Sequence, residues 1–333
     1  MTSQRLQEIL RRASTQHVIV IGDLMLDEFV WGKVGRISPE APVPVVEVSG
    51  ESFYPGGAAN VARNLREFTD RVGVVGMIGR DHSGKTLRKL LTQEKIDTTR
   101  CPISSDCPTI VKTRIIARQQ QVVRVDREKI ITPTAKQIAS VVAAVKATLS
   151  EIDAIIFEDY GKGFLAPELV SRIVSAAREH GKVVAADPNS RHNISWQGLS
   201  VVKPNRSEAF HAAGIPWTEP TDSVADDEAL RNVGTTLMDR WDTQLLLITL
   251  GEQGMMLFQR GKPPHHVPTK ARQVFDVSGA GDTAIALFTL ALTAGATPLE
   301  AADIANHASA VVVGKLGTAT VSREELLQNF ENG

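Results

Sequence analysis

The residues best placed to do chemistry lie in Asp276-Val277-Ser278-Gly279-Ala280-Gly281-Asp282, which runs into the apolar helical pattern of residues 283–292. Small residues ahead of a helix let backbone N–H groups approach an anion, and the helix N-terminus adds partial positive charge. Gly279, Ala280 and Gly281 would then cradle a phosphate, with Asp282 at the edge. Phosphoryl transfer is largely positioning and charge stabilisation plus one base that accepts the proton of the attacking hydroxyl, and Asp282 sits where that base is needed. A tight turn at Gly279 and Gly281 with Asp282 as a helix cap accounts equally for this segment alone.

Other segments bear on a ligand. Gly56-Gly57-Ala58-Ala59-Asn60 opens a helix, and paired glycines let a polyol lie against the backbone. Gly22-Asp23-Leu24-Met25-Leu26-Asp27 puts two carboxylates at a strand's carboxyl end, where α/β proteins bind ligands. Asp27 there suits sugar hydroxyls; helix capping by Asp23 or Asp27 is the local alternative. Asn205-Arg206-Ser207-Glu208 follows a strand, so Asn205 and Glu208 can hold waters of a hydrated Mg²⁺ or simply form a capping box. Thr249-Leu250-Gly251-Glu252-Gln253-Gly254 closes an apolar strand with a turn suited to a ribose or phosphate, or to a plain hairpin. Lys162, in Asp159-Tyr160-Gly161-Lys162-Gly163, follows another strand edge and can meet an anion or stay solvated. Arg114, Arg118, Arg124 and Arg127 line an extended block whose alternation brings some of them to one face. There they would clamp a phosphate through the planar guanidinium fork, or form a solvated sheet face.

One motif match points elsewhere. Gly79-Arg80-Asp81-His82-Ser83-Gly84-Lys85-Thr86 satisfies the P-loop pattern. A P-loop aims consecutive N–H groups at phosphates, and Asp81 would place a like charge inside that nest. A surface turn is the expectation. His192, His211, His265, His266 and His307 show no metal-ligand or triad spacing.

The elements that must position these residues follow from hydrophobic period. Apolar runs at residues 17–23, 71–76, 154–158, 182–187, 199–203 and 245–250 alternate with helical patterns at 58–68, 84–94, 134–149, 166–180, 225–242, 282–293 and 299–313. That alternation is the signature of an α/β fold with a mainly parallel, covered sheet. Two blocks break it: residues 29–48 read as two short extended pieces around a Pro-rich turn, and 109–126 as two longer strands. They can pair into a small sheet beside the main one, a lid whose segments span about 28–50 and 108–127 within a single domain 1–333.

Composition narrows the function classes. The 37 Lys and Arg nearly balance the 38 Asp and Glu in the 333-residue chain, so the electrostatic footprint of nucleic-acid binding is missing. No apolar run approaches a membrane span and no apolar signal core follows Met1, so a cytoplasmic protein with no membrane partner is expected. Cys101 and Cys107 are expected as free thiols without zinc.

Taken in order, residues 22–27, 56–60, 205–208, 249–254 and 276–282 resemble the ribokinase-like, or phosphofructokinase B-like, sugar kinases, across nearly the whole chain. Within that family, Arg36-Ile37-Ser38-Pro39-Glu40-Ala41-Pro42-Val43-Pro44-Val45-Val46 and residues 159–163 look like the heptose 7-phosphate kinases of lipopolysaccharide precursor synthesis. The resemblance implies a three-layer fold with a sugar-covering lid that also forms a homodimer interface. It implies ATP and Mg²⁺ as cofactors, and leaves room for a monovalent cation. It makes Asp282 the catalytic base and Gly279, Ala280 and Gly281 the anion hole. Asp27, Gly56, Gly57 and Asn60 become sugar ligands, with Arg118, Arg124 and Lys162 as weaker transfers for the substrate's phosphate. Asn205, Glu208, Thr249, Gly251, Gly254 and Asn306 fall to the nucleotide, and Glu208 to the metal through water. Related kinases are often fused to a C-terminal nucleotidyltransferase; with this sequence ending at Gly333, the resemblance implies a monofunctional form with a separate adenylyltransferase. A kinase for another sugar phosphate, or a sugar-responsive binding protein without catalysis, remain alternatives.

Overall fold

Two buried apolar cores lie on opposite sides of one eight-stranded sheet in the computed structural model, which describes every residue except Gln119, Arg272 and Gly333. The strand order is His265–Val267, Met255–Gln259, Leu245–Thr249, Val201–Val202, Val183–Asp187, Ala154–Glu158, His17–Gly22 and Arg71–Val75. Pairing is parallel except where the first two strands of that order add an antiparallel edge. Successive side chains of a strand point to opposite faces. Val18 and Val20 therefore enter one core and Ile19 and Ile21 the other, which is why these strands read as continuous apolar runs. Each such side chain contributes roughly 1.5–3 kcal/mol on burial.

Helices Ala58–Arg66, His82–Gln93, Ala280–Thr293 and Pro298–Val312 cover the first face. Helices Ala135–Lys146, Pro167–Glu179, Arg206–Ala213 and Glu228–Arg240 cover the second, completing three layers. The expected helix over 225–242 starts later, because Asp227 caps it by accepting the Leu230 N–H at 2.8 Å. The expected strand over 199–203 is only Val201–Val202. Helix Ser3–Ala13, unexpected from the sequence, buries Leu6, Ile9, Leu10 and Ala13 at helical spacing.

The lid is a four-stranded sheet in the order Pro44–Gly57, Leu24–Ile37, Ile110–Ala117, Gln120–Arg127. The short pieces expected around residues 29–48 are instead two 14-residue strands, paired from Leu24–Gly57 out to Ile37–Pro44. Their outer halves are solvated, so the ladder rests on backbone hydrogen bonds and leaves no apolar alternation to read. Gln119, within the second lid segment, lies outside the described residues.

Asp23 joins lid to sheet. It accepts backbone N–H bonds from Tyr160 (3.1 Å), Lys162 (2.9 Å) and Phe164 (3.1 Å), shaping the loop after strand Ala154–Glu158. Its carboxylate therefore organises that loop, and its pKa is raised because burial outweighs those donors.

Candidate active site

Gly279, in the left-handed region at φ 82°, turns the chain into helix Ala280–Thr293 and offers no side-chain cap, so first-turn N–H groups beyond Ala280, whose own N–H donates to the Val277 carbonyl at 3.3 Å, are left for an anion. Asp282 sits in that turn and is 6% exposed. It caps nothing. Its Oδ2 accepts from Asn60 Nδ2 at 2.7 Å and its Oδ1 from the Tyr160 hydroxyl at 2.9 Å. Burial pushes its pKa up, against the pull of the Asn60 and Tyr160 hydrogen bonds and the Lys203 charge. Burial and the Asp282 charge raise the Tyr160 pKa, so the phenol stays protonated and donates.

Asn60 comes from helix Ala58–Arg66, entered through Gly56 and Gly57. A Cβ on Gly56 would stand 2.1 Å from Asp27 Oδ2, so the glycine makes room for that carboxylate. Asp27, buried in the first lid strand, pairs with Arg114 across the sheet.

Two cavities meet at the helix start. One, of about 520 Å³, is walled by Tyr160, Asp187, Lys203, Asn205, Glu208 and Asp282 among others. The other, of about 460 Å³, is mostly apolar and includes Gly254, Val274, Ala284 and Asn306. Thr249, Gly251, Val277 and Gly281 line both. The polar cavity is strongly charged. Buried Lys203 pairs with Asp187 at 2.8 Å, and its Nζ would lie 3.5 Å from a Cβ on Gly281. Burial works against the Lys203 charge, but Asp187 more than offsets it and the ammonium pKa is raised. Burial raises the Asp187 pKa, with Lys203 pulling it back. Glu158 is buried with Oε2 unpartnered among the described residues, and burial plus the Asp187 and Asp282 charges push its pKa well up.

Asn205 and Glu208 form a capping box: Asn205 Oδ1 accepts the Glu208 N–H at 2.9 Å and Glu208 Oε2 the Asn205 N–H at 2.8 Å. They line the cavity as well, so cap and ligand readings coexist. The turn at Gly251 and Gly254 joins two antiparallel strands, and Asn306 Nδ2 donates to the Pro268 carbonyl at 2.6 Å.

The basic residues separate. Arg124 is the register partner of Arg114 on the lid face that carries Asp27, and its guanidinium pairs with Asp126 at 2.8 Å. Lys162 pairs with Glu128 at 2.8 Å. Arg118 is exposed in a turn at φ 49°, without a register partner in the sheet among the described residues. Residues 79–86 run from a strand end through Asp81 into helix His82–Gln93 and line neither cavity. The sequence reading missed Lys203, Asp187 and Glu158. Each ends an apolar strand with a charge, and that was the available signal.

Residues 15–325 match the model of the pfkB family carbohydrate kinases. The chain belongs to the pfkB family. This pfkB kinase is therefore a sugar kinase, and the expectation of a ribokinase-like three-layer fold holds. It is 38% identical over its full length to the bifunctional protein HldE of Citrifermentans bemidjiense and spans 67% of that relative. It thus spans about two thirds of the curated relatives' length. Phosphofructokinase-2 from Escherichia coli in complex with potassium superposes with TM-score 0.76 at 17% identity, covering 96% of this chain and 99% of that one. Arabidopsis thaliana ribokinase complexed with ribose and ATP gives 0.72 at 18%, covering 95% and 99%. No described helix of this pfkB kinase is long and apolar enough to cross a membrane.

Proposed function

We propose that the chain transfers the γ-phosphoryl group of ATP to the anomeric O1 of D-glycero-D-manno-heptose 7-phosphate, giving the 1,7-bisphosphate used for ADP-heptose. The observation that carries this reading is the buried Asp282 carboxylate, held by Asn60 and Tyr160 where a polar and an apolar cavity meet. The heptose assignment is supported by residues 36–46 and 159–163 and by similarity to the bifunctional relative.

In this reading Asp282 takes the O1 proton as O1 attacks in line, an easier removal than from an ordinary alcohol. First-turn amides at Gly279, Ala280 and Gly281, with the Lys203 ammonium, meet the charge spreading over the transferring phosphoryl oxygens. Asp27, Gly56, Gly57 and Asn60 orient the sugar, while Arg124 and Lys162 exchange carboxylate partners for the 7-phosphate. Thr249, Gly251, Gly254 and Asn306 take the nucleoside. Oxygen donors of Asn205, Glu208 and Asp187 on the polar cavity suit a hydrated Mg²⁺. No cluster of three or more His, Cys, Asp or Glu is placed to hold a metal among the described residues, so Glu208 would hold the ion through water. Mg²⁺ would supply charge neutralisation at the nucleotide phosphates.

The same reading makes residues 1–333 one kinase domain with an inserted lid that excludes water and pairs two copies. It places the reaction in the cytoplasm, with an adenylyltransferase acting on the product after loss of a phosphate. A monovalent cation belongs to it by family, and exchanging potassium for tetramethylammonium in the assay tests it. The deciding experiment is coupled ADP release with heptose and hexose phosphates, followed by NMR of the product. The highest kcat/KM is expected for the heptose 7-phosphate, with the new ester at O1. A preferred hexose phosphate would reassign the substrate, and no ADP with any sugar would leave a binding protein.

A further inference from the structure

On the underside of the lid, Lys112 stands in register with Asp27 on one side and Asp126 on the other. Its Nζ lies over the Tyr160 ring, 5.2 Å from the centroid, and the hydroxyl of that ring donates to Asp282. Lys112 is thus one side chain away from the carboxylate at the centre of the site. The neighbouring cations are neutralised in place: Arg114 by Asp27, Arg124 by Asp126 and Lys162 by Glu128. Among the described residues the Lys112 side chain has neither an ion pair nor a hydrogen bond, and its ammonium rests on the π-face of Tyr160. Burial lowers its pKa, and the Lys162 and Arg124 charges add to that against Asp27 and Asp126. A half-buried, unpaired ammonium among cations that already have carboxylate partners gains from an arriving anion what the fold does not give it.

We propose that Lys112 is the residue by which this kinase selects a phosphorylated sugar, joining Arg124 and Lys162 at the phosphate on the end of the sugar remote from Asp282. The inference rests on the sugar-phosphate reading above and adds a specificity-determining residue to it. Tyr160 lies between the two ends. Its hydroxyl serves the carboxylate while its ring face carries the ammonium, so one side chain sets the spacing between phosphate and reacting oxygen. A sugar without the phosphate would leave Lys112 desolvated and uncompensated, which is how a built-in polar group rejects the analogue lacking its partner.

The test compares kcat/KM for D-glycero-D-manno-heptose 7-phosphate with that for the same heptose lacking phosphate, in the full chain and in Lys112→Met and Lys112→Arg. A hydrogen bond to a charged group is worth about 1.5–3 kcal/mol, so the preference for the phosphorylated sugar should fall roughly ten- to hundredfold in Lys112→Met, mainly through KM. Lys112→Arg should keep most of it. Equal losses for both sugars would reduce Lys112 to a support for Tyr160, and an unchanged kcat/KM for each would remove it from the site; either overturns the proposal alone. A native chain indifferent to the phosphate would overturn the sugar-phosphate reading together with it. If Lys112→Met does not fold, Lys112→Arg and Lys112→Gln carry the same comparison, with melting curves recorded with and without the heptose 7-phosphate.

Discussion

Two glycine-bearing turns in this molecule each lead into a helix with an aspartate close by, and they use that aspartate in opposite ways. At residues 79–86, Asp81 is the N-cap: it accepts from the Gly84 N–H at 2.7 Å and from the Thr109 N–H and hydroxyl, each at 2.8 Å. The amide a phosphate would need is already satisfied by a carboxylate. At residues 276–282 the cap is Gly279, which offers no acceptor, and Asp282 is held by Asn60 and Tyr160 from elsewhere in the fold. An aspartate that caps its own helix closes the anion site, whereas one held from outside leaves the amides open and stands beside them. The environments differ accordingly. Hydrogen bonds from Thr109 and Gly84 bring the Asp81 pKa below the ordinary carboxylate range despite partial burial, while burial raises that of Asp282.

The contrast can be broken most decisively at Asp282. Asp282→Asn keeps the shape and removes the base, so kcat should fall by about two to four orders of magnitude with nucleotide affinity retained, measured by steady-state assay and calorimetry. Near-normal turnover would put the two turns on the same footing. The pH dependence should separate them next. Asp282 must be ionised to accept a proton, so kcat/KM falls as pH drops through its raised pKa. Asp81 has a depressed folded pKa, so its stabilisation is complete above the unfolded value and is lost only when pH falls through the lower one. Activity should therefore disappear on acidification before helical circular dichroism does; loss of both together would deny the difference in environment.

Smaller effects sharpen the picture. Asp81→Ala should cost about 0.5–2 kcal/mol in urea unfolding, the range for a lost N-cap, with little change in kcat. Lys85→Ala, the lysine of the P-loop-like match, should stay within roughly twofold of native turnover, as for a surface change of ±0.5 kcal/mol. A collapse of ATP turnover in Lys85→Ala would restore the P-loop reading that Asp81 argues against.

The layered fold was legible because its signal is local. Strands covered on both faces must be apolar throughout, and their alternation with helix-period stretches survives in one dimension. The lid was read as too short because strands with a solvated outer half have no apolar period to show. Residues 56–60, 205–208 and 276–282 stood out because glycine turns and capping boxes are contiguous patterns. Lys112, Lys203 and Glu158 did not, since a charge in an extended run has the same appearance whether it faces water or a cavity.

The chain's order alone therefore determined the layers, the uncapped glycine turn and the type of side chain beside it. It could not determine which carboxylate is a base. Asn60 and Asp282 are 222 positions apart and Tyr160 and Asp282 are 122 apart. Desolvation and charge act through space, so the raised pKa of Asp282, the burial of Lys203 against Gly281 and the unpaired Lys112 above Tyr160 exist only once the sheet edge, two helices and the lid have come together.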